Sequence, residues 1–220
     1  MKINEIFKSI SGEASNAGYP VIFIRTYGCN LRCGYCDTMY AVEGGDYITM
    51  DVPGILKECE NLGIKRVILT GGEPLIQPDA PELIDALCDK GYQVEVETNG
   101  AVHLGQFHLK LKTKRKDLLT YTMDFKSHSS LMSEKMITDN LEFLTAKDVL
   151  KFVVGSQEDL LQMYDIVTGN DLYCQVFVSP VFGKIEPKDI VEFILEKGLT
   201  EVRTQIQLHK VIWDVNQRGV

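Results

Sequence analysis

The sequence predicts one α/β domain on a mainly parallel sheet of about six strands, arranged as a partial barrel or an open sheet. Short β-branched runs alternate with amphipathic stretches along the chain, which is the pattern of βα units. Glycines stand where three of the helices should end. The length of 220 residues supplies too few units for a full eight-stranded barrel, which needs about 250. No repeat, linker or low-complexity tract divides the chain, so residues 1–220 read as a single domain.

Strands are expected over residues 21–27, 67–70, 92–98, 119–125, 149–154, 173–178 and 201–205. Helical stripes lie between them. Val52, Ile55, Leu56, Cys59 and Leu62 share one face, as do Leu83, Ile84, Leu87 and Cys88. Leu160, Leu161, Tyr164 and Val167 form a third stripe, and Ile190, Val191, Ile194 and Leu195 a fourth. Gly63, Gly91 and Gly198 occupy the left-handed caps that end three of these helices. In either arrangement of the sheet, ligands gather at the carboxyl ends of the strands.

Lys and Arg total 23 against 31 Asp and Glu, a formal charge of −8, which argues against nucleic acid as the main partner. The basic run at 110–116 reads as a solvated loop. There is no apolar signal core and no run near the ~20 residues of a membrane span, so a soluble, cytoplasmic protein is expected. A reducing compartment disfavours disulfides among the six cysteines. Cys59, Cys88 and Cys174 then read as small core residues.

Cys29, Cys33 and Cys36 stand apart from these in a C-x3-C-x2-C loop directly after a predicted strand. Three thiolates leave one coordination position open. Zinc closed by a distant histidine, an inert buried group and an iron–sulfur cluster with one free iron all fit that spacing. Three further segments follow strands: Gly71-Gly72-Glu73-Pro74, Glu97-Thr98-Asn99-Gly100 and Asp124-Phe125-Lys126-Ser127. Arg25 lies inside an otherwise apolar strand, where a guanidinium needs a carboxylate. Recognition of a substrate carboxylate is preferred over an internal ion pair.

The cysteine loop, with Tyr35 before its third thiol, resembles the radical S-adenosylmethionine (SAM) superfamily, as does the GGEP segment. Together with SGE, FIR, CDT, ETNG, DFKS and QLHKVIW, it is similar to the 7-carboxy-7-deazaguanine synthase family over nearly the whole chain. The resemblance implies a shortened parallel β/α barrel of the radical SAM type with a reduced helical coat. It implies a [4Fe–4S] cluster on Cys29, Cys33 and Cys36, and Mg2+ on Thr38. SAM contacts carry over to Tyr35, Cys36, Asp37, Gly72, Glu73, Gly100, Asp124, Phe125, Lys126 and Ser179, with Glu73 as the anion for the methionyl ammonium. Substrate contacts carry over to Ile10, Ser11, Gly12, Arg25 and Thr98, and to the terminal carboxylate of Val220. Ser11 departs from the family's usual glutamine, a change that matters only if the side chain makes the contact.

The implied reaction is a lyase conversion of 6-carboxy-5,6,7,8-tetrahydropterin to 7-carboxy-7-deazaguanine with loss of ammonia, in queuosine-type deazapurine biosynthesis. The radical sits on SAM, so no catalytic side chain is expected. A flavodoxin or ferredoxin electron donor and a homodimer are implied, with neither nucleic acid nor membrane as partner. The competing readings are a glycyl-radical-enzyme activase, which has no use for Arg25, Thr38 or QLHK, and a thiolate metal module without turnover.

Overall fold

The computed structural model describes residues 1–214 and 217–220. One nine-stranded sheet forms its frame: β1 (Lys2–Ile10), β2 (Pro20–Thr26), β3 (Ile48–Thr49), β4 (Arg66–Gly71), β5 (Gln93–Thr98), β6 (Leu119–Phe125), β7 (Val149–Val154), β8 (Gln175–Pro180) and β9 (Val202–Thr204), in the order β3-β1-β2-β4-β5-β6-β7-β8-β9. From β2 through β4 to β9 every pairing is parallel, and these seven strands overlap the seven ranges expected for them. Two antiparallel strands that the sequence did not announce extend the β2 edge. A register shift between Ile3 and Glu5 breaks the period of β1. Ile3 and Ile6 consequently both meet the core although three residues separate them, which masks strand alternation.

Helices Val52–Leu62, Ala80–Asp89, Gln157–Gly169 and Pro187–Lys197 cover the convex face. The Asp51 side chain accepts the Gly54 N–H at 2.9 Å to start the first, and Gly63, with φ of 73°, ends it. Gly198 and Gly91 also adopt positive φ just beyond their helices, as expected. Two stripes differ from the expected ones. Met163 and Phe193 are buried, whereas Leu161, Val191 and Leu195 face outward. Packing on one sheet selects a narrower arc than the apolar residues themselves mark out. The convex face of the strands is apolar, with Ile22, Ile24, Val67, Leu69, Val94, Val96, Leu150 and Phe152 at most 1% exposed. Cys59 and Cys88 are buried there and Cys174, half-buried, packs against the same core, all as small hydrophobes.

The sheet curls so that its concave face encloses a cavity. Residues 11–19, between β1 and β2, cross the amino ends of the parallel strands. Ala14 packs on Val149 and Phe177, and the Asn16 amide donates to Glu95 at 2.6 Å. Ala14 N–H donates to Gln205 Oε1 at 2.8 Å, and Leu208 N–H to the Gly12 carbonyl at 3.1 Å, joining this loop to the chain beyond β9. The result is a partial barrel closed below and open at the carboxyl ends. No helix among the described residues is long and apolar enough to cross a membrane.

Candidate active site

A cavity of about 850 Å³ lies at the carboxyl ends of the strands. The cysteine loop forms one wall. Gly28, at φ of 100°, turns the chain out of β2, and its N–H donates to the Ala41 carbonyl at 2.8 Å. Cys29, Cys33 and Cys36 are half-buried and line the cavity. Leu31 N–H and the Asn99 side-chain amide approach Cys29 Sγ at 3.4 and 3.5 Å, donors that favour a thiolate. Burial, however, pushes the Cys29 and Cys33 thiols up, so metal binding must displace their protons. Among the described residues no three His, Cys, Asp or Glu side chains converge closely enough to hold one metal ion. Three thiols on one wall are a donor set that an iron–sulfur cluster accepts.

The Gly71-Gly72 turn packs directly beneath this loop. A Cβ on Gly71 would stand 2.2 Å from the Thr26 carbonyl oxygen, and one on Gly72 2.1 Å from that of Gly28. Glycine is therefore required by contact between two backbones, and Glu73 N–H donates to the Gly28 carbonyl at 2.9 Å. Glu73 itself corrects an expectation. Its side chain is fully buried and accepts Leu75 N–H at 3.0 Å, Thr98 Oγ1–H at 2.9 Å and Asn99 N–H at 2.7 Å. Burial raises its pKa to about 7 against those three donors. The carboxyl clamps GGEP to ETNG, and it is Gly72 that meets the cavity.

Besides the thiols, the lining includes Ile10, Gly12, Arg25, Tyr35, Asp37, Thr38, Thr98, Asp124, Lys126 and Val220. These expected site residues are brought together from six separate segments. Ser11, Gly100, Phe125 and Ser179 are not in the lining. Ser11 is buried at the neck of the 11–19 loop, its hydroxyl donating to the Glu13 carbonyl at 3.1 Å. Phe125 points to the apolar side, its ring centroid 5.4 Å from that of Phe152. Gly100 is buried at φ of 75° and accepts the Asn140 amide at 3.1 Å. The Ser179 hydroxyl reaches Glu13 Oε1 at 3.3 Å. Strand pleat and loop closure turn these four away.

Arg25 makes the internal ion pair, the less preferred of the two readings offered for it. Its Nε donates to Glu5 Oε1 at 2.7 Å, an ion pair invisible while β1 was not recognised as a strand. No other acceptor among the described residues bonds the guanidinium, whose remaining donors are available at the cavity wall. Nearby, Lys210 pairs with Asp37 at 3.1 Å, and Arg218 lies 3.8 Å from the centroid of the Tyr40 ring. Desolvation raises the Asp37 carboxyl, but Lys210, His209 and Arg25 outweigh it and hold it below the usual carboxylate range. His209 is held low by burial; its Nδ1 stands where a Cβ on Gly12 would be.

The deeper wall is acidic. Glu97, Glu13 and Asp124 reach the cavity, and Glu95 lies below them. Thr70 Oγ1–H donates to Glu97 Oε2 at 2.7 Å. Burial, reinforced by Glu95, raises Glu97 to about 7 even though Lys151 opposes the shift. The cavity thus holds Arg25 together with Glu13, Glu97 and Asp124 and with the two lysines, Lys126 and Lys151, that pair with Asp124 and Glu13. The sequence marks Glu97 and Asn99 only as parts of the segment that closes β5, and it gives Lys151 no mark of a role.

Residues 23–113 match the sequence profile of the Radical SAM superfamily. The 7-carboxy-7-deazaguanine synthase of Clostridium acetobutylicum is 44% identical over 223 residues, covering 100% of this chain and 99% of its own. The chain belongs to the 7-carboxy-7-deazaguanine synthase family. A relative of the same name from Thermoplasma acidophilum is 36% identical, covering 97% of both chains. Among solved structures, QueE from Escherichia coli superposes with a TM-score of 0.75 at 21% identity over 94% of each chain, which supports the fold. Streptococcus suis SuiB bound to S-adenosylmethionine has a TM-score of 0.55 at 14% identity, covering 87% of this chain and 48% of SuiB. Membership of this radical SAM family implies a [4Fe–4S] cluster and SAM as cofactors.

Proposed function

We propose that the chain is the lyase that converts 6-carboxy-5,6,7,8-tetrahydropterin to 7-carboxy-7-deazaguanine and ammonia, a redox-neutral change in which no atom is left over. The observation that carries this is the polarity of the cavity. A pterin with a carboxylate at one end and N–H donors around its ring is the complement of a cavity that holds both a guanidinium and carboxylates.

Cys29, Cys33 and Cys36 would hold the cluster, leaving one iron for SAM. When bound, cluster and SAM would supply the abstraction of a hydrogen atom from C6 of the pterin and its later return to the product, so that SAM is recycled. The remaining work falls to the protein. Gly72 offers a wall without a side chain, and Tyr35, Asp37, Asp124 and Lys126 line the SAM side. The Tyr35 hydroxyl is buried with no hydrogen-bond partner among the described residues, consistent with a polar ligand completing it. Arg25 orients the substrate carboxylate, joined by Ile10, Gly12, Thr98 and the Val220 carboxylate. Thr38 supplies an oxygen for Mg2+, whose other positions water and substrate would fill. Holding the pterin in line and excluding other hydrogen donors is the protein's catalytic contribution.

Anaerobic reconstitution followed by assay on the pterin with SAM, a reductant and Mg2+ tests the reading. About four irons per chain and formation of 7-carboxy-7-deazaguanine are expected. A single zinc, or SAM cleavage without that product, would overturn it. A flavodoxin or ferredoxin donor, a cytoplasmic location and a homodimer without nucleic acid complete the proposal.

A further inference from the structure

Lys151 occupies the middle of the β7 run VLKFVV and turns its side chain into the cavity. Only 5% exposed, it places Nζ 3.0 Å from Asp124 Oδ1 and 3.4 Å from Glu13 Oε2. Asp124 continues the pairing through Oδ2 to Lys126 Nζ at 2.8 Å, and Ser179 supports the other oxygen of Glu13. An alternating row of Glu13, Lys151, Asp124 and Lys126 thus crosses the cavity, from the loop beside the expected pterin contacts to the strand end beside the SAM contacts.

Taking an ammonium out of water costs several kcal/mol, and well-packed apolar residues often replace such pairs without loss of stability. Removing the lysine alone is the other case, because it leaves Glu13 and Asp124 buried without the cation they share. Its geometry also bears on the site, because one cation touches carboxylates on two separate elements. Glu95 and Glu97 from β5 and His209 from the carboxyl-terminal segment also face this space. With Lys151 gone, four carboxylates would confront one another with Lys126 as their nearest remaining ammonium.

We propose that Lys151 is a positioning residue for both ligands, aiming the Glu13 carboxylate at the pterin ring and, through Asp124, fixing Lys126 on the SAM side. The assignment rests on the pterin reading of the cavity. It makes Lys151 act through neighbours, so its effect should appear in binding and in the coupling of SAM cleavage to product, with cluster assembly spared.

The test compares reconstituted wild type with K151M, K151R, E13Q and the E13Q/K151M double variant. K151M should keep its iron and sulfide content, raise the pterin KM by roughly tenfold and raise the SAM Kd by about threefold, as loss of a charged hydrogen bond predicts. The yield of 5′-deoxyadenosine per product should increase, and K151R should recover part of each change. The double variant should have a pterin KM no worse than E13Q alone, because Lys151 acts through Glu13. A pterin KM and coupling ratio unchanged in K151M, or independent multiplication of the two single effects, would overturn the assignment. Should K151M not fold, K151R takes its place: its displaced charge must raise the pterin KM by about threefold in wild type and not in the E13Q background. A wild type that cleaves SAM yet forms no deazaguanine overturns the pterin reading, a result separable from failure of Lys151 alone.

Discussion

The two faces of the same strands are built on opposite terms. On β5, Val94 and Val96 point under the helices while Glu95 and Glu97 point into the cavity. On β7, Leu150 and Phe152 join the apolar core while Lys151 joins a row of charges. One face gains free energy by leaving water; the other holds groups that are stable only with one another or with a ligand. Folding and chemistry are thereby separated by a single residue along each strand, and substitutions on the two faces should fail in different ways.

Cys33→Ala should show the largest effect, with complete loss of 5′-deoxyadenosine formation and of the iron–sulfur absorbance. The thermal transition of the apoprotein should barely move, since the thiol is half-buried on a loop. Phe152→Ala should do the reverse, costing about 3–5 kcal/mol in urea unfolding by leaving a core cavity, with cluster binding intact in the folded fraction. If both variants lost stability equally, the separation of faces would be wrong.

Arg25→Lys comes next. It keeps a charge for Glu5 but not the planar fork, so the pterin KM should rise by roughly tenfold to a hundredfold while the SAM Kd stays put. Steady-state assays and SAM titration distinguish these outcomes. Glu97→Gln should sharpen the contrast from the acidic side. Burial lifts this carboxyl from its ordinary 4.5 to about 7 in the folded chain. Between those values the folded state keeps a proton that the unfolded state releases, so the group loses stability as pH rises through the window. The glutamine variant is free of that loss. It should match wild type near pH 5 and exceed it near pH 8 by an amount on the order of 1 kcal/mol, read as melting temperature against pH. Leu195→Ser should have the smallest effect, within about 0.5 kcal/mol, because the side chain already faces solvent.

Most of the parallel sheet was legible because each βα unit repeats a local pattern, and the thiol loop because its three ligands sit close in sequence. What escaped was whatever depends on segments distant along the chain. The bulge in β1 hid a strand, and with it the Glu5 partner of Arg25. Glu73 looked like an anion for a ligand, since two of the three donors that occupy it come from residues 98 and 99. Lys151 in an apolar run reads as a solvent-facing residue until the curl of the sheet turns that face inward.

The loop at residues 11–19 bears on traffic as well as architecture. By crossing the amino ends of the strands it closes the cavity on that side, so that among the described residues the way in lies at the carboxyl ends. Whatever lies deepest must enter first and depart last, and ammonia has to leave past the same threshold. Order of arrival is thus written into the shape of the vessel.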